Sequence, residues 1–213
     1  MNNLTLRERW NHLFSDRTSS SSKSIEEIWT FISSKHSAHD REYHNLEHLQ
    51  QMFEEFDRIE EEISQPDAVT LAIFFHDIYY DPTGNRNEEK SAALAEEILS
   101  DFNFDNDVIK DVKSLILATK TGSFPATSDQ RFMVDIDRSI LGKSPDKYAN
   151  YRNQIRQEYS LYPEKAFLIG RKHFIRSLLG NDSIYHTGLF KEQLEKQAIE
   201  NLTEELNTIE SGR

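Results

Sequence analysis

The chain has no cysteine, and it is poor in turn-forming residues and in positive charge. Without cysteine there is no disulfide scaffold, no thiolate zinc site and no cysteine nucleophile. Seven glycines and five prolines in 213 residues compare with about 15 and about 10 at average usage. So few turn residues argue against a sandwich or barrel of short strands. Lys and Arg total 25 against 37 Asp and Glu, a formal charge of −12. That balance argues against general nucleic-acid binding, which needs a basic surface. An acidic protein that acts on an acidic substrate needs a local source of positive charge. No apolar run reaches the roughly 20 residues of a membrane span. The longest, around Ala68–Ile78, is too short and carries a His and an Asp. The N-terminus lacks the basic, apolar and small-residue succession of a signal peptide. A cytoplasmic protein with no membrane association is therefore expected.

The residues that are present favour helices. Charged residues make up 29% of the chain, and Glu, Lys, Leu and Ala are frequent. Apolar residues recur at helical spacing in Leu6/Trp10/Leu13/Phe14, in Ile25/Ile28/Trp29/Ile32 and in Leu49/Met52/Phe53/Phe56/Ile59/Ile63. Ser24 and Glu27 have capping-box spacing. The third of these helices is expected to begin near His44. Pro66 suits the first turn of a helix through Val69–Phe75 that is apolar on most faces, the mark of a buried central helix. Asn87 is the expected cap of a helix carrying Ala92, Ala95, Ile98 and Leu99. Val108, Val112, Leu115 and Ile116 mark another, and Phe132–Leu141 a short one stopped by Gly142. Three more are expected at about 145–159, 163–179 and 189–209. Ser19–Ser22 reads as a flexible loop. The expected fold is one all-α bundle over residues 1–213. It would have N-terminal helices to residue 40, a metal-binding core over 41–145 and C-terminal helices over 146–213.

Three polar features stand out from this apolar pattern. His76-Asp77 follows the apolar run Leu71–Phe75, and a buried carboxylate needs a partner or a metal. On a helical wheel of about 100° per residue, Asp137 falls within the apolar cluster of Met133, Val134, Ile136, Ile140 and Leu141, while Asp135 points away. His44 and His48 are four apart and would share a helical face. One geometry accounts for all three: His48, His76, Asp77 and Asp137 around a divalent ion. Two imidazoles and two carboxylates suit Mn, Fe, Co, Ni or Zn better than Ca, and Mg is retained among the candidates. Such an ion would acidify water and polarise an electrophile.

The ordered pattern of a His, an adjacent His-Asp and a distant Asp, here His48, His76-Asp77 and Asp137, resembles that of the HD superfamily of metal-dependent phosphohydrolases. Asp135 stays the alternative to Asp137. The segments YHNLEH, FFHDIYYD, NEEKSA, DIDRSILG and YRNQIRQEY, spread over about residues 43–180, are similar to those of a predicted phosphohydrolase branch of that superfamily. The resemblance implies an HD-type helical fold. It also implies metal-dependent hydrolysis of a phosphate ester, of a nucleotide or another small phosphorylated metabolite. Tyr43-His44-Asn45 also looks like a motif of cyclic-nucleotide phosphodiesterases, which makes His44 a candidate general acid. Further candidates are Asp81, four residues past Asp77; Glu88 or Glu89, to orient water; and Arg152 and Arg156, to hold phosphate oxygens.

Two other readings compete. His44-x-x-Glu47-His48 formally matches the inverted zinc-peptidase pattern, but it leaves His76-Asp77 and Asp137 without a role. A non-catalytic helical module could bind a ligand or partner and keep the metal as a structural element.

Overall fold

The computed structural model describes residues 4–15, 17–20 and 23–212. The described residues contain ten α-helices and two 3₁₀ turns, and no strand occurs among them. The all-α expectation is met. Contacts divide the chain into two compact units, Met1–Met133 and Val134–Arg213.

The first unit holds α1 (Leu6–Phe14), α2 (Ile25–His36), α3 (Leu46–Ile59), α4 (Pro66–Phe75), α5 (Asn87–Asp101) and α6 (Asn106–Ala118). It also holds the start of α7 (Ser128–Asp137). Helix α4 is its centre. Every residue from Ala68 to Phe75 is buried, and α3, α5 and α6 pack against it. Pro66 occupies the first turn, as its fixed φ and missing N–H favour. Two backbone N–H groups at the stem of α4, those of Ser64 and Gln65, donate to the Asp129 carboxylate at 3.0 and 2.8 Å. The start of α7 is thereby tied to the start of α4. Trp10 and Phe14 are fully buried. Their rings stack with centroids 4.2 Å apart, and Trp10 meets Phe74 edge-on at 5.5 Å. The N-terminal helices therefore complete the core of this unit.

Capping explains where several helices begin. Ser24 and Glu27 form the expected capping box, and Thr5 with Glu8 form another. Asn87, expected as a cap, is instead the first residue of α5. Its side chain is spent on both backbone groups of Asp81, accepting from the N–H at 3.2 Å and donating to the carbonyl at 3.0 Å. Ser19 and Ser20 bond Asp101 at the end of α5. Ser21 and Ser22, the rest of the serine run, lie outside the described residues.

The second unit contains the end of α7, a 3₁₀ turn (Arg138–Gly142), α8 (Pro145–Glu158), α9 (Glu164–Leu179) and α10 (Gly188–Ser211). The helix expected over Phe132–Leu141 starts four residues earlier and tightens to 3₁₀ after Asp137. Gly142 does more than stop a helix. A Cβ there would meet Leu194 Cβ at 2.6 Å and the Leu194 carbonyl at 2.7 Å, so glycine lets the turn approach α10. Asn201 of α10 donates to the carbonyls of Leu141 and Lys143 at 2.8 and 2.9 Å. Arg171 and Glu205 pair inside this unit, with Nε–Oε1 at 2.9 Å and Nη2–Oε2 at 3.1 Å. Tyr148 donates to the same carboxylate, and Arg171 donates to the Tyr151 hydroxyl at 3.2 Å. All four side chains are buried.

Candidate metal centre

Asn45 decides how the first candidate residues are placed. Its Oδ1 accepts from the N–H groups of Glu47 and His48 at 2.8 and 3.3 Å, which makes it the cap of α3. Helix α3 therefore starts at Leu46 and not near His44. His48 sits in its first turn and is buried, whereas His44 lies in the preceding irregular segment. The two imidazoles are nevertheless neighbours, with ring centroids 5.8 Å apart. Tyr43, also buried, packs against His48 with centroids 4.8 Å apart. Glu47 is exposed and accepts from Gln51 at 3.4 Å. The inverted zinc-peptidase pattern thus loses the single helix it needs.

His76 caps the C-terminus of α4, and Asp77 follows in the turn. His76 Nδ1 lies 2.9 Å from the Ile73 carbonyl. A carbonyl only accepts, so Nδ1 carries a proton, and Nε2 is the ring nitrogen turned toward Asp77. This is the usual arrangement of a metal-binding histidine, whose second nitrogen is fixed by an outer hydrogen bond. His76 Nε2 lies 3.0 Å from Asp77 Oδ2, and His44 Nε2 lies 4.0 Å from the same oxygen. Burial would raise the Asp77 carboxyl. The imidazoles of His76, His44 and His48 outweigh it and hold the group well below the usual carboxylate range. His48 and His76 have ring centroids 5.5 Å apart.

One ligand atom each of His48, His76 and Asp137 lies within 4.8 Å of the others, and this group could hold a metal ion. Asp137 is the last residue of α7. Asp135, the alternative, is fully buried and does not point away as the wheel suggested. Its carboxylate accepts from the N–H of His186 at 2.8 Å, and from the N–H and hydroxyl of Thr187 at 2.8 and 2.7 Å. It therefore anchors the stem of α10, whose N-cap is Thr187. Burial raises its pKa, and these bonds offset the rise only in part. The wheel failed because it knew nothing of the α10 stem that meets this face of α7.

Of the remaining candidates, Asp81, Glu89, Arg152 and Arg156 have structural partners. Asp81 is exposed and accepts from the N–H and hydroxyl of Thr83 at 2.8 and 2.7 Å, which closes its own turn and holds its carboxyl low. Glu88 stands in the first turn of α5, half-buried, where the helix dipole favours an acid. Its neighbour Glu89 pairs with Lys120. Arg152 faces the buried Glu205 at 3.6 Å. Arg156 is committed to Glu164 at 2.7 Å and to the carbonyls of Tyr159 and Tyr162. Both arginines are engaged by these partners.

Three residues that the sequence pattern did not single out surround the His-Asp turn. The Tyr80 ring stacks on His44, with centroids 4.2 Å apart. Arg41 is buried, and its guanidinium donates to backbone carbonyls on both sides of the group. Arg41 Nη1 also lies 3.4 Å from His36 Nδ1. Since a guanidinium only donates, His36 accepts there and uses Nε2 to donate to the Phe74 carbonyl at 3.3 Å. Burial, with the nearby Arg41 and His76, pushes His36 down to about 3. The one sequence signal for Arg41 was its place next to Tyr43-His44-Asn45, in a segment with no periodicity to mark it.

Comparison with family models, with curated proteins and with solved structures returned no significant match.

Proposed function

We propose that the protein is a metal-dependent phosphohydrolase that cleaves a phosphate ester of a nucleotide or another small phosphorylated metabolite. One observation carries the reading. His48, His76 and Asp137 bring ligand atoms within 4.8 Å of one another, and His76 has its other ring nitrogen tied to the Ile73 carbonyl. The donor chemistry fits a divalent transition ion: two imidazoles and one carboxylate, with Asp77 Oδ2 3.0 Å from His76 Nε2 as a further oxygen. When bound, such an ion would supply a hydroxide at neutral pH and positive charge for the phosphoryl oxygens. That charge answers the difficulty posed by a net −12 chain. The ordered His, His-Asp and Asp pattern, with its resemblance to the HD superfamily, supports the same reading.

The chain's own residues have distinct roles in this proposal. His48, His76, Asp77 and Asp137 hold the ion. His44, which Tyr80 stacks on and whose Nε2 faces Asp77, gives a proton to the leaving oxygen. An imidazole suits this task because its ordinary pKa lies near neutrality.

The test is metal analysis of the purified protein, followed by a panel of nucleotides and generic phosphoesters with added Mn, Co or Ni. Metal-dependent turnover that a chelator abolishes is expected. Bound metal without turnover on any phosphoester would favour a non-catalytic metal-containing module, and absence of metal binding would remove the proposal.

A further inference from the structure

Arg41 lies outside every regular element, between α2 and α3, yet it is buried. Removing a guanidinium from water is costly unless its donors find acceptors. Its acceptors come from two places far apart in the chain. Nη1 donates to the His44 carbonyl at 3.3 Å and to the Asp77 carbonyl at 2.6 Å. Nη2 donates to the Ile78 carbonyl at 3.1 Å. One planar cation thus bridges the segment that presents His44 and the turn that presents His76-Asp77. The same guanidinium carbon lies 5.5 Å from the centre of the Tyr80 ring, and that ring stacks on His44 with planes inclined by 30°. His44 is therefore set twice from Arg41: through its own backbone carbonyl, and through the aromatic ring that covers its imidazole.

We infer that Arg41 is a positioning residue that holds the imidazole of His44 in register with the His76-Asp77 turn. The inference rests on the phosphohydrolase reading for the purpose of that register, namely proton delivery by His44, but the register itself is a structural property. Arginine suits the task because its donors are fixed in a fork that can serve carbonyls on two segments at once. The single ammonium of lysine cannot reproduce that geometry.

The experiment follows the His44 ring-proton resonance by NMR in the full-length protein, assigned by comparison with His44→Gln. Stacking on Tyr80 should place the resonance upfield of a solvent-exposed imidazole, and Tyr80→Leu should abolish the displacement. In folded Arg41→Met the resonance is expected to move toward the exposed position. Arg41→Lys should give a smaller change in the same direction, and it is read by the same criterion where Arg41→Met does not fold. A folded Arg41 variant with the wild-type His44 resonance overturns the inference. On a phosphoester that the wild type hydrolyses, kcat should fall by about 10- to 100-fold, the usual range for an outer-shell support, with KM little changed. A fall in KM-dependent binding alone, with kcat retained, would also overturn it. A wild type that hydrolyses no phosphoester overturns the functional reading, while the resonance still decides the role of Arg41.

Discussion

Asp135 and Thr187 are joined by two hydrogen bonds, from the backbone N–H at 2.8 Å and from the side-chain hydroxyl at 2.7 Å, both to Asp135 Oδ2. The other oxygen takes the His186 N–H at 2.8 Å. Both oxygens of this buried carboxylate are thus occupied by the stem of α10. Two positions later, Asp137 closes α7 and falls into the His48/His76 group. The two aspartates should therefore separate cleanly on mutation. Asp135→Ala leaves the donors of His186 and Thr187 without their acceptor, at a cost of about 2–4 kcal/mol by the usual penalty for such groups. It should leave metal stoichiometry unchanged. Asp137→Ala should lose bound metal, because it removes the carboxylate of the His48/His76 group. Urea denaturation with elemental analysis of both variants checks this. Metal lost in Asp135→Ala but kept in Asp137→Ala would reverse the assignment.

A bound ion should also show in stability, because it binds the folded arrangement and not the unfolded chain. At an ion concentration of 100 times Kd the gain is about 2.7 kcal/mol. Thermal denaturation with graded Mn or Co should show a midpoint that rises with the logarithm of concentration, and a chelator should reverse it. His76→Ala should flatten the response, since it removes one of the two imidazoles of the proposed site. An unaltered response in His76→Ala would mean that the ion binds elsewhere.

Much of this architecture was legible in the sequence, because local pattern and local chemistry agree there. The α4 core follows from an unbroken apolar run after a proline, and the Ser24–Glu27 capping box from spacing alone. His48, His76 and Asp137 stood out as polar residues in apolar helices, and the structure gathers them. What escaped notice depends on partners distant in the chain. Asp129 reads as an ordinary first-turn acid until Ser64 and Gln65 are seen to donate to it. Arg41 has two of its acceptors more than thirty residues away, at Asp77 and Ile78. The wheel turned Asp135 outward, since the α10 stem that claims it is about fifty residues further on. Arg152 and Arg156 looked suited to phosphate because their buried and backbone partners were invisible in the sequence.

The buried Arg171–Glu205 pair gives a prediction confined to the second unit. Burial alone would raise Glu205, but the Arg171 guanidinium holds its carboxyl below the ordinary range. Glu205→Ala leaves a buried cation and should cost about 3–5 kcal/mol. Joint replacement by Arg171→Met and Glu205→Leu should recover most of that loss, because no uncompensated charge remains. A double-mutant cycle in urea measures the coupling. Additive effects of the two single changes would show that the pair is not coupled.

His36 predicts how stability responds to mild acid. Its folded pKa is pushed from 6.5 down to about 3 by burial, Arg41 and His76. The unfolded chain therefore takes up a proton below about pH 6.5, while the folded protein refuses it until about pH 3, so this residue destabilises the fold progressively as pH falls through that window. At pH 5 the difference of 1.5 pH units from the unfolded value corresponds to about 2 kcal/mol. Asp77 and Glu205, whose folded pKa values are depressed, act in the same direction. They do so only below their unfolded values of 3.8 and 4.5, so the interval from pH 6.5 to 5 is free of them. His36→Gln keeps an acceptor for Arg41 and a donor for the Phe74 carbonyl but cannot be protonated. Urea midpoints of the metal-free protein at pH 7.5 and pH 5 should fall further for the wild type than for His36→Gln, by about 2 kcal/mol in stability. Equal falls in the two proteins would show that His36 does not set the acid response.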